Sequence, residues 1–528
     1  MGDLEMLGFI VESRSPRVSY GVSTVPLPLG EYVSASYTVD DRVRGVTIQR
    51  RVLAVVSNAG FVHAIPQSVI KYLNPNQAGQ ASAPKLSPMT LYVIAEIVEG
   101  TRVEPPRYPI PPDTVIDSAS GNLLSLVYSA PGGVRLGMLS PSSLGVEIKI
   151  NPDKLVKHLL IAGATGSGKS NTVAVIADRI SAIGAPVVVF DVHGEYDIIP
   201  EDGDSSRVVK VQAKINPMRM PPRILALIII PEPQARRQRR ILYKAIKDVK
   251  EEVDREAQSK GIKLEQAIES IAEKRGVKID ELEERSLSYD EALAEKYKAL
   301  LIRKLEGISD AKDKTRVETI IDKVEEFFEI TPITMLEDPP LNYLELGKIL
   351  VVDASTLTDD QRRWMLKIIV DELLLKLKSK SIKPVVLVVE EAPLFLSIEL
   401  NHPVKQSLQR FAREGRKFGG CLIVVSQRPR SLDVNVVSQL QNFIFLRMVQ
   451  EEDIRAVMNI ADNLDENLAR IIPSLPDGRG LVMGEIIGRF PALVDIDLHK
   501  GKKAGAAPKL TETWSEYKSK KMPVFDIE

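Results

Sequence analysis

The sequence predicts an α/β fold built on a parallel sheet, preceded by a small β-rich domain and interrupted by a helical insert. From about residue 130, apolar stretches typical of strands alternate with helical segments, which is the pattern of βαβ units. The first hundred residues carry short β-rich stretches separated by Gly, Pro and Asn, which favour a small antiparallel barrel or sandwich. Between Glu232 and Glu329, apolar residues recur at helical spacing among mixed charges.

Domain boundaries follow from these changes of pattern. The segment 104–112, EPPRYPIPP, cannot pair in a sheet or continue a helix, so it predicts an extended linker. The insert is either a solvated bundle that shapes the surface or a contact surface for a partner or nucleic acid. The predicted parts are a β-barrel with its linker at 1–112, a first core part at 113–231, the insert at 232–331, a second core part at 332–494 and a C-terminal extension at 495–528.

Composition narrows the class of protein. The 528 residues are 44% hydrophobic and 27% charged, which is typical of a soluble globular protein. No apolar run is long enough for a membrane span and the N-terminus lacks the features of a signal peptide, so we expect a cytoplasmic protein without a membrane partner. The net charge of −1 argues against a uniformly basic nucleic-acid coat but allows local basic patches. The single cysteine, Cys421, lies in an apolar run and is expected to be buried.

A glycine-rich loop carries the clearest chemical signal. Residues 163–170, GATGSGKS, fit the pattern G-x-x-x-x-G-K-[ST] and lie between an apolar run and a helical segment. In this setting backbone N–H groups cradle phosphates, Lys169 meets the β and γ phosphates, and the Ser170 hydroxyl binds Mg²⁺. ATP and Mg²⁺ are therefore the predicted cofactors. The predicted nucleotide-binding residues are Gly163, Ala164, Thr165, Gly166, Ser167, Gly168, Lys169, Ser170 and Asn171.

Two adjacent carboxylates form the predicted second half of this site. Glu390 and Glu391 follow the apolar stretch 385–389. In P-loop enzymes the first carboxylate of such a pair holds the Mg²⁺ shell, and the next orients and deprotonates the attacking water. We assign these roles to Glu390 and Glu391. The alternative is a strand that simply reaches solvent.

A glutamine ends another apolar stretch. Gln427 follows residues 422–425 and Ser426, and its amide can hydrogen-bond the γ-phosphate or the attacking water. This pattern favours a phosphate sensor, with simple capping of the next loop as the alternative.

Three arginines recur at intervals of three residues. Arg410, Arg413 and Arg416 lie in a predicted helix over 404–417 and would share one face. An arginine presented to the γ-phosphate of a neighbouring subunit stabilises the transition state, and such a finger requires an oligomer. A surface ion pair is the alternative for each of the three.

Taken together, five segments resemble the HerA family of archaeal DNA translocases, which is related to the bacterial FtsK motors. They are HLLIAGATGSGKSN, DVHGEY, VVEEAP, GRKFG and SQRP, in that order. The resemblance covers nearly the whole chain. It implies an N-terminal β-barrel, a RecA-like P-loop ATPase core with a helical insert, and a C-terminal extension. It further implies a homo-oligomer in the form of a hexameric ring, double-stranded DNA in the channel, and a NurA-type nuclease as partner in DNA end resection.

The resemblance also assigns roles position by position. Lys169 and Ser170 match the family's phosphate and Mg²⁺ residues, Glu391 its catalytic glutamate, Gln427 its sensor and Arg416 its finger. The expected function is ATP-driven translocation on DNA. Two alternatives remain: a nucleotide-gated scaffold of a repair complex with little turnover, and a small-molecule kinase.

The DVHGEY motif and two departures from common P-loop patterns complete the list of notable positions. Asp191 and Glu195 in DVHGEY match a family motif at the edge of the site, and the sequence leaves their role open, with structural anchoring favoured. His193 between them is expected to pack or hydrogen-bond, with a metal ligand as the alternative. Glu390 stands where many P-loop enzymes carry Asp, and Pro393 stands where relatives often have His.

Overall fold

The structure of the protein is a computed structural model that contains two β-sheets. It describes residues 6–23, 25–41, 45–60, 62–63, 85–128, 133–140, 145–232, 234–277, 287–308, 314–461, 464, 466–488 and 490–500. The first sheet has eight strands and the second has eleven. None of the helices in these ranges is both long and apolar enough to cross a bilayer.

The N-terminal sheet closes into a barrel. Its strands are β1 (Met6–Ser15), β2 (Val18–Ser23), β3 (Tyr32–Asp41), β4 (Val46–Ala59), β5 (Val62–His63), β6 (Lys85–Val98), β7 (Arg102–Glu104) and β8 (Val115–Ser118). Six of them form an antiparallel ring in the order β2-β1-β8-β3-β4-β6, because β6 also pairs with β2. Strand β8 lies beyond the boundary predicted at residue 112. The proline-rich segment therefore leads the chain back into the barrel.

The second sheet forms the core. Its strands are β9 (Val134–Leu139), β10 (Glu147–Ile150), β11 (Leu159–Ala162), β12 (Val187–Asp191), β13 (Val208–Gln212), β14 (Ile349–Asp353), β15 (Val385–Val389), β16 (Gly420–Ser426), β17 (Asn442–Phe445), β18 (Arg479–Met483) and β19 (Ala492–Ile496). The parallel part runs β17-β11-β16-β15-β12-β14-β13, and the antiparallel strands β18, β19, β9 and β10 extend it beyond β17. Strands covered on both faces must be apolar throughout, and every residue of β11, β12, β14, β15, β16 and β17 is buried.

Helices cover the sheet and form the insert. They are α1 (Gly121–Tyr128), α2 (Lys169–Ser181), α3 (Pro222–Ile229), α4 (Arg236–Lys260), α5 (Leu264–Lys274), α6 (Tyr289–Glu306), α7 (Lys314–Ile330), α8 (Asp359–Lys378), α9 (Pro393–Leu396), α10 (Pro403–Arg410), α11 (Val434–Val437), α12 (Glu451–Ile460) and α13 (Glu466–Ala469). Helices α4 to α7 make up the insert. Their buried faces belong to the same hydrophobic cluster as the core sheet, so the insert packs onto the core.

The predicted architecture is confirmed: an α/β core built on a largely parallel sheet, with a small N-terminal β-barrel and a helical insert. Cys421 is buried in β16 as expected, and burial raises the pKa of its thiol to about 12.

A buried histidine joins the first core strand to its neighbours. His158, immediately before β11, is fully buried. Its Nδ1 accepts the Leu422 N–H at 3.1 Å, so its Nε2 carries the proton and donates to the Ala412 carbonyl at 2.7 Å. Burial lowers the pKa of His158 to about 4, and the nearby Arg416 guanidinium also lowers it. The ring is therefore neutral at pH 7.

This histidine makes stability depend on pH. Because the folded pKa of about 4 lies below the ordinary value of 6.5, the unfolded chain binds more protons between these two values. The contribution to the unfolding free energy is fully present above pH 6.5 and is lost as the pH falls toward 4. It amounts to at most about 3 kcal/mol. We expect the thermal midpoint of the wild type to fall more steeply over this range than that of His158→Gln. Parallel curves for the two proteins would contradict this account.

Candidate nucleotide-hydrolysis site

The glycine-rich loop lies where the sequence predicts it, between β11 and α2. Gly166 and Gly168 have left-handed backbones, with φ of +77° and +109°. Such backbones favour glycine, and they let the loop turn back over the end of the strand. Helix α2 begins at Lys169 and Gly168 gives it no side-chain cap. Its first N–H groups are therefore available to an anion.

A cavity of about 690 Å³ opens in front of this loop. It lies at the carboxyl ends of the parallel strands, where open α/β sheets bind their ligands. Its walls come from the glycine-rich loop, from the ends of β12, β15 and β16, and from the segment that follows β19. The predicted site residues that line it are Thr165, Gly166, Gly168, Lys169, Ser170, Asn171, Glu390, Glu391 and Gln427.

Lys169 faces this cavity from the first turn of α2. Its ammonium group donates to the Ala164 carbonyl at 3.0 Å, folding the lysine back over the loop. Burial lowers the pKa of Lys169, and the carboxylates of Glu390, Glu391 and Glu195 oppose that shift. The positive charge therefore lies close to three negative ones, and a triphosphate would bring oxygens that bind it directly.

The two predicted Mg²⁺ ligands share one tyrosine. The Tyr196 hydroxyl donates to the Glu390 carboxylate and also hydrogen-bonds the Ser170 side chain. Both Tyr196 and Glu390 are buried, and burial raises the pKa of each. A hydroxyl and a carboxylate are oxygen ligands of the kind that Mg²⁺ prefers. Ser170 and Glu390 therefore fit the ion, since their common partner places them on one side of the cavity.

A chain of hydrogen bonds joins the loop to the second glutamate. The Thr165 hydroxyl donates to Gln427 Oε1 at 2.7 Å, and Gln427 Nε2 donates to Glu391 Oε1 at 2.5 Å. This arrangement arises because β16 lies between β11 and β15, so that Gln427, the residue after its end, meets the segments that follow both neighbouring strands. Glu391 has a φ of +43°, a strained value for a non-glycine residue. Such strain is concentrated at functional sites.

The DVHGEY loop is anchored by its first residue. The Asp191 carboxylate accepts N–H bonds from His193 at 3.1 Å, Gly194 at 2.9 Å and Tyr196 at 2.9 Å. Asp191 therefore shapes the loop. Glu195 lines the cavity, and the His193 ring lies with its Nε2 3.8 Å from Glu391 Oε1.

Sequence reasoning missed two parts of this site. Tyr196 was not singled out, although it bonds both predicted Mg²⁺ ligands. The segment after β19 was also missed: the Asn171 side chain donates to the Asp497 carbonyl and accepts the His499 N–H, each at 2.9 Å. Asn171 thus holds a wall of the cavity in place. The predicted C-terminal extension contributes to this wall through Asp495, Ile496, Leu498 and His499, and its part at 501–528 lies outside the described residues.

The helix predicted over 404–417 is present as an unbroken helical run over residues 403–418, but the type of helix changes along it. Helix α10 ends at Arg410, residues 411–415 form a π-helical turn, and residues 416–418 form a 3₁₀ turn. The chain turns tightly onto β16 here, and a Cβ added at Gly420 would lie 3.0 Å from the Phe411 ring and 3.3 Å from the Gly415 backbone. A π-helical turn holds more residues than an α-helical turn, so the α-helical spacing from which a common face was predicted does not apply over residues 411–415.

Each arginine has a different environment. Arg410 pairs with Asp371 at 2.8 Å, and the exposed Arg413 pairs with Glu414 at 3.6 Å. Arg416 is exposed and makes no ion pair within the part of the chain that the structure describes. Strand β16 begins four residues after Arg416 and ends just before Gln427, and seven extended residues span about 20 Å. Arg416 therefore lies at the amino end of β16, whereas its own cavity lies at the carboxyl end of that strand.

Comparison with known proteins gives consistent matches. Residues 134–373 match the family described as "Helicase HerA, central domain". The DNA double-strand break repair helicase HerA of Sulfolobus acidocaldarius is 34% identical over 441 residues, covering 81% of this chain and 82% of that protein. The protein of the same name from Sulfurisphaera tokodaii is 30% identical over 528 residues, covering 97% of this chain and 97% of that protein. Among solved structures, VirB4 of Thermoanaerobacter pseudethanolicus is 18% identical with a TM-score of 0.48, covering 72% of this chain and 99% of that one.

Proposed function

The chain belongs to the HerA family of DNA double-strand break repair helicases, and on this premise we propose that it is an ATP-driven translocase and helicase on double-stranded DNA. The observation that carries the proposal is the continuous link from the glycine-rich loop through Gln427 to Glu391. It joins a phosphate cradle to a carboxylate at hydrogen-bond range, which is what hydrolysis of a triphosphate requires.

The roles in hydrolysis follow from position. The loop N–H groups and Lys169 bind the phosphates, and Glu391 accepts a proton from the water that attacks the γ-phosphorus. Gln427 contacts both the loop and Glu391, so it can transmit the presence of the γ-phosphate to the base. When bound, Mg²⁺ neutralises charge on the phosphates, and Ser170 and Glu390 would hold it.

In this proposal an arginine from another protomer completes the hydrolytic site. Arg416 is exposed and lies about 20 Å along β16 from its own cavity, so it would act on a neighbour's γ-phosphate. A subunit that gives its finger to one neighbour and receives one from the other forms a head-to-tail ring. We propose a hexameric ring, in line with the family resemblance.

The working context follows from the family. We propose that the ring encloses duplex DNA, acts in the cytoplasm and cooperates with a NurA-type nuclease in resecting DNA ends. A net charge of −1 is compatible with this, because only the channel has to be basic. Arg219 and Arg223 are exposed candidates for channel contacts, although Arg219 pairs with Asp338 at 3.4 Å.

Steady-state ATP hydrolysis with and without duplex DNA tests this function. We expect turnover in the presence of Mg²⁺, stimulation by duplex DNA of unrelated sequences, and loss of that stimulation as salt is raised, because contacts to DNA phosphates are screened. A protein that binds ATP without turnover, with or without DNA, would instead be a nucleotide-gated scaffold. Phosphate transfer that appears only with an added small-molecule acceptor would indicate a kinase.

A further inference from the structure

We propose that His193 is a positioning residue for Glu391: its imidazole holds the carboxylate in place when Gln427 also binds the γ-phosphate. This inference rests on the proposed hydrolytic function. His193 lies in the DVHGEY loop after β12, whereas Glu391 follows β15, so the two residues come from distant parts of the chain.

The first observation is the placement of the ring. His193 Nε2 lies 3.8 Å from Glu391 Oε1, and the ring lines the same cavity. The backbone N–H of His193 is fixed by Asp191, whereas the side chain is 53% exposed. An approach of about 1 Å would bring the ring to hydrogen-bond distance. A side-chain rotation supplies such a movement without disturbing the loop.

The second observation is a competition at Gln427. The Gln427 amide nitrogen carries two N–H donors, and one of them bonds Glu391 while Oε1 accepts from Thr165. The γ-phosphate offers only acceptors, so Gln427 can bind it only through the second N–H of the same nitrogen. The amide is then shared between two anions, and it holds Glu391 less closely at the moment when the carboxylate must face the water.

The third observation concerns what else surrounds Glu391. In the part of the chain that the structure describes, Gln427 is the only hydrogen-bond partner of the Glu391 carboxylate, and the only basic side chain within 4 Å of it is His193. Pro393, which begins α9 two residues later, has no polar side chain to offer. His193 is therefore the group placed to support Glu391 beside Gln427, and it acts on the reaction only through Glu391.

Single-turnover and steady-state kinetics of three variants of the full-length protein test this inference. We expect His193→Ala to lower kcat about tenfold with the Kd for ATP unchanged, since an unpositioned base still binds nucleotide normally. His193→Gln, whose amide can donate to a carboxylate, should recover most of the rate. Lys210→Ala is the matched control, because Lys210 holds the same loop through the Gly194 carbonyl at 3.1 Å without approaching Glu391.

A double variant separates positioning from loop damage. In a Glu391→Gln background, His193→Ala should cause no further loss in the single-turnover rate, because the group that it positions is gone. An unchanged kcat in His193→Ala, an equal loss in both backgrounds, or the same loss in Lys210→Ala would overturn the inference. If the wild-type protein itself did not hydrolyse ATP, the proposed function would fail instead.

Discussion

Replacing Glu391 with Gln is expected to lower kcat for ATP hydrolysis by a factor of about 10² to 10⁴ while ATP still binds. The amide keeps the size of the side chain and a hydrogen-bonding group for Gln427, but it cannot take a proton from water. Because the phosphate cradle is untouched, the Kd for ATP should stay close to that of the wild type. Steady-state hydrolysis and nucleotide titration measure the two quantities separately.

The matched control is Glu399→Gln, which makes the same charge change eight residues later at an exposed position outside the cavity. It should leave DNA-free hydrolysis unchanged. A Glu391→Gln protein that still turns over at the wild-type rate would mean that another group activates the water. A matching loss in Glu399→Gln would mean that charge alone explains the effect.

The Arg416→Ala variant is expected to lose hydrolysis by a factor of about 10³ to 10⁵, the range attributed to arginine fingers. ATP binding and assembly should persist, because Arg416 lies at the amino end of β16, about one strand length from its own cavity. Hydrolysis rate, nucleotide affinity and molar mass in solution are the measurements.

Arg413→Ala provides the comparison. Arg413 is three residues earlier, is 69% exposed and pairs only with the adjacent Glu414 among the described residues, so its loss should change hydrolysis little. If Arg413→Ala were inactive and Arg416→Ala active, the finger would be Arg413. If neither variant lost activity, the site would not depend on an arginine from this turn.

Local sequence patterns predicted much of this molecule. The glycine-rich loop and the carboxylates at 390 and 391 are recognisable from residue type and spacing alone. The strands before them are continuous apolar runs, because both faces of the sheet are covered. The order of the strands was not accessible in this way. Strand β16 comes late in the chain yet lies between β11 and β15, and this pairing is what brings Gln427 to Glu391.

The errors and omissions have physical reasons as well. The spacing of Arg410, Arg413 and Arg416 suits a regular helix, but the chain changes to a π-helical turn at Phe411 to meet β16, and residue spacing does not reveal such a turn. Tyr196 and the segment at 495–499 reach the cavity through contacts between distant parts of the chain. Nothing in their local sequence distinguishes a tyrosine that bonds Glu390 from one that fills the core.

The central claim is that two protomers complete each hydrolytic site, one giving the cradle and Glu391 and the other giving Arg416. The most direct test mixes two inactive proteins, Lys169→Ala and Arg416→Ala, under conditions that let subunits exchange. In a randomly mixed equimolar ring, about a quarter of the interfaces combine an intact cradle with an intact finger, so hydrolysis should return to roughly that share of the wild-type rate. A mixture that forms mixed rings yet stays inactive, or an Arg416→Ala protein that is fully active alone, would contradict the claim.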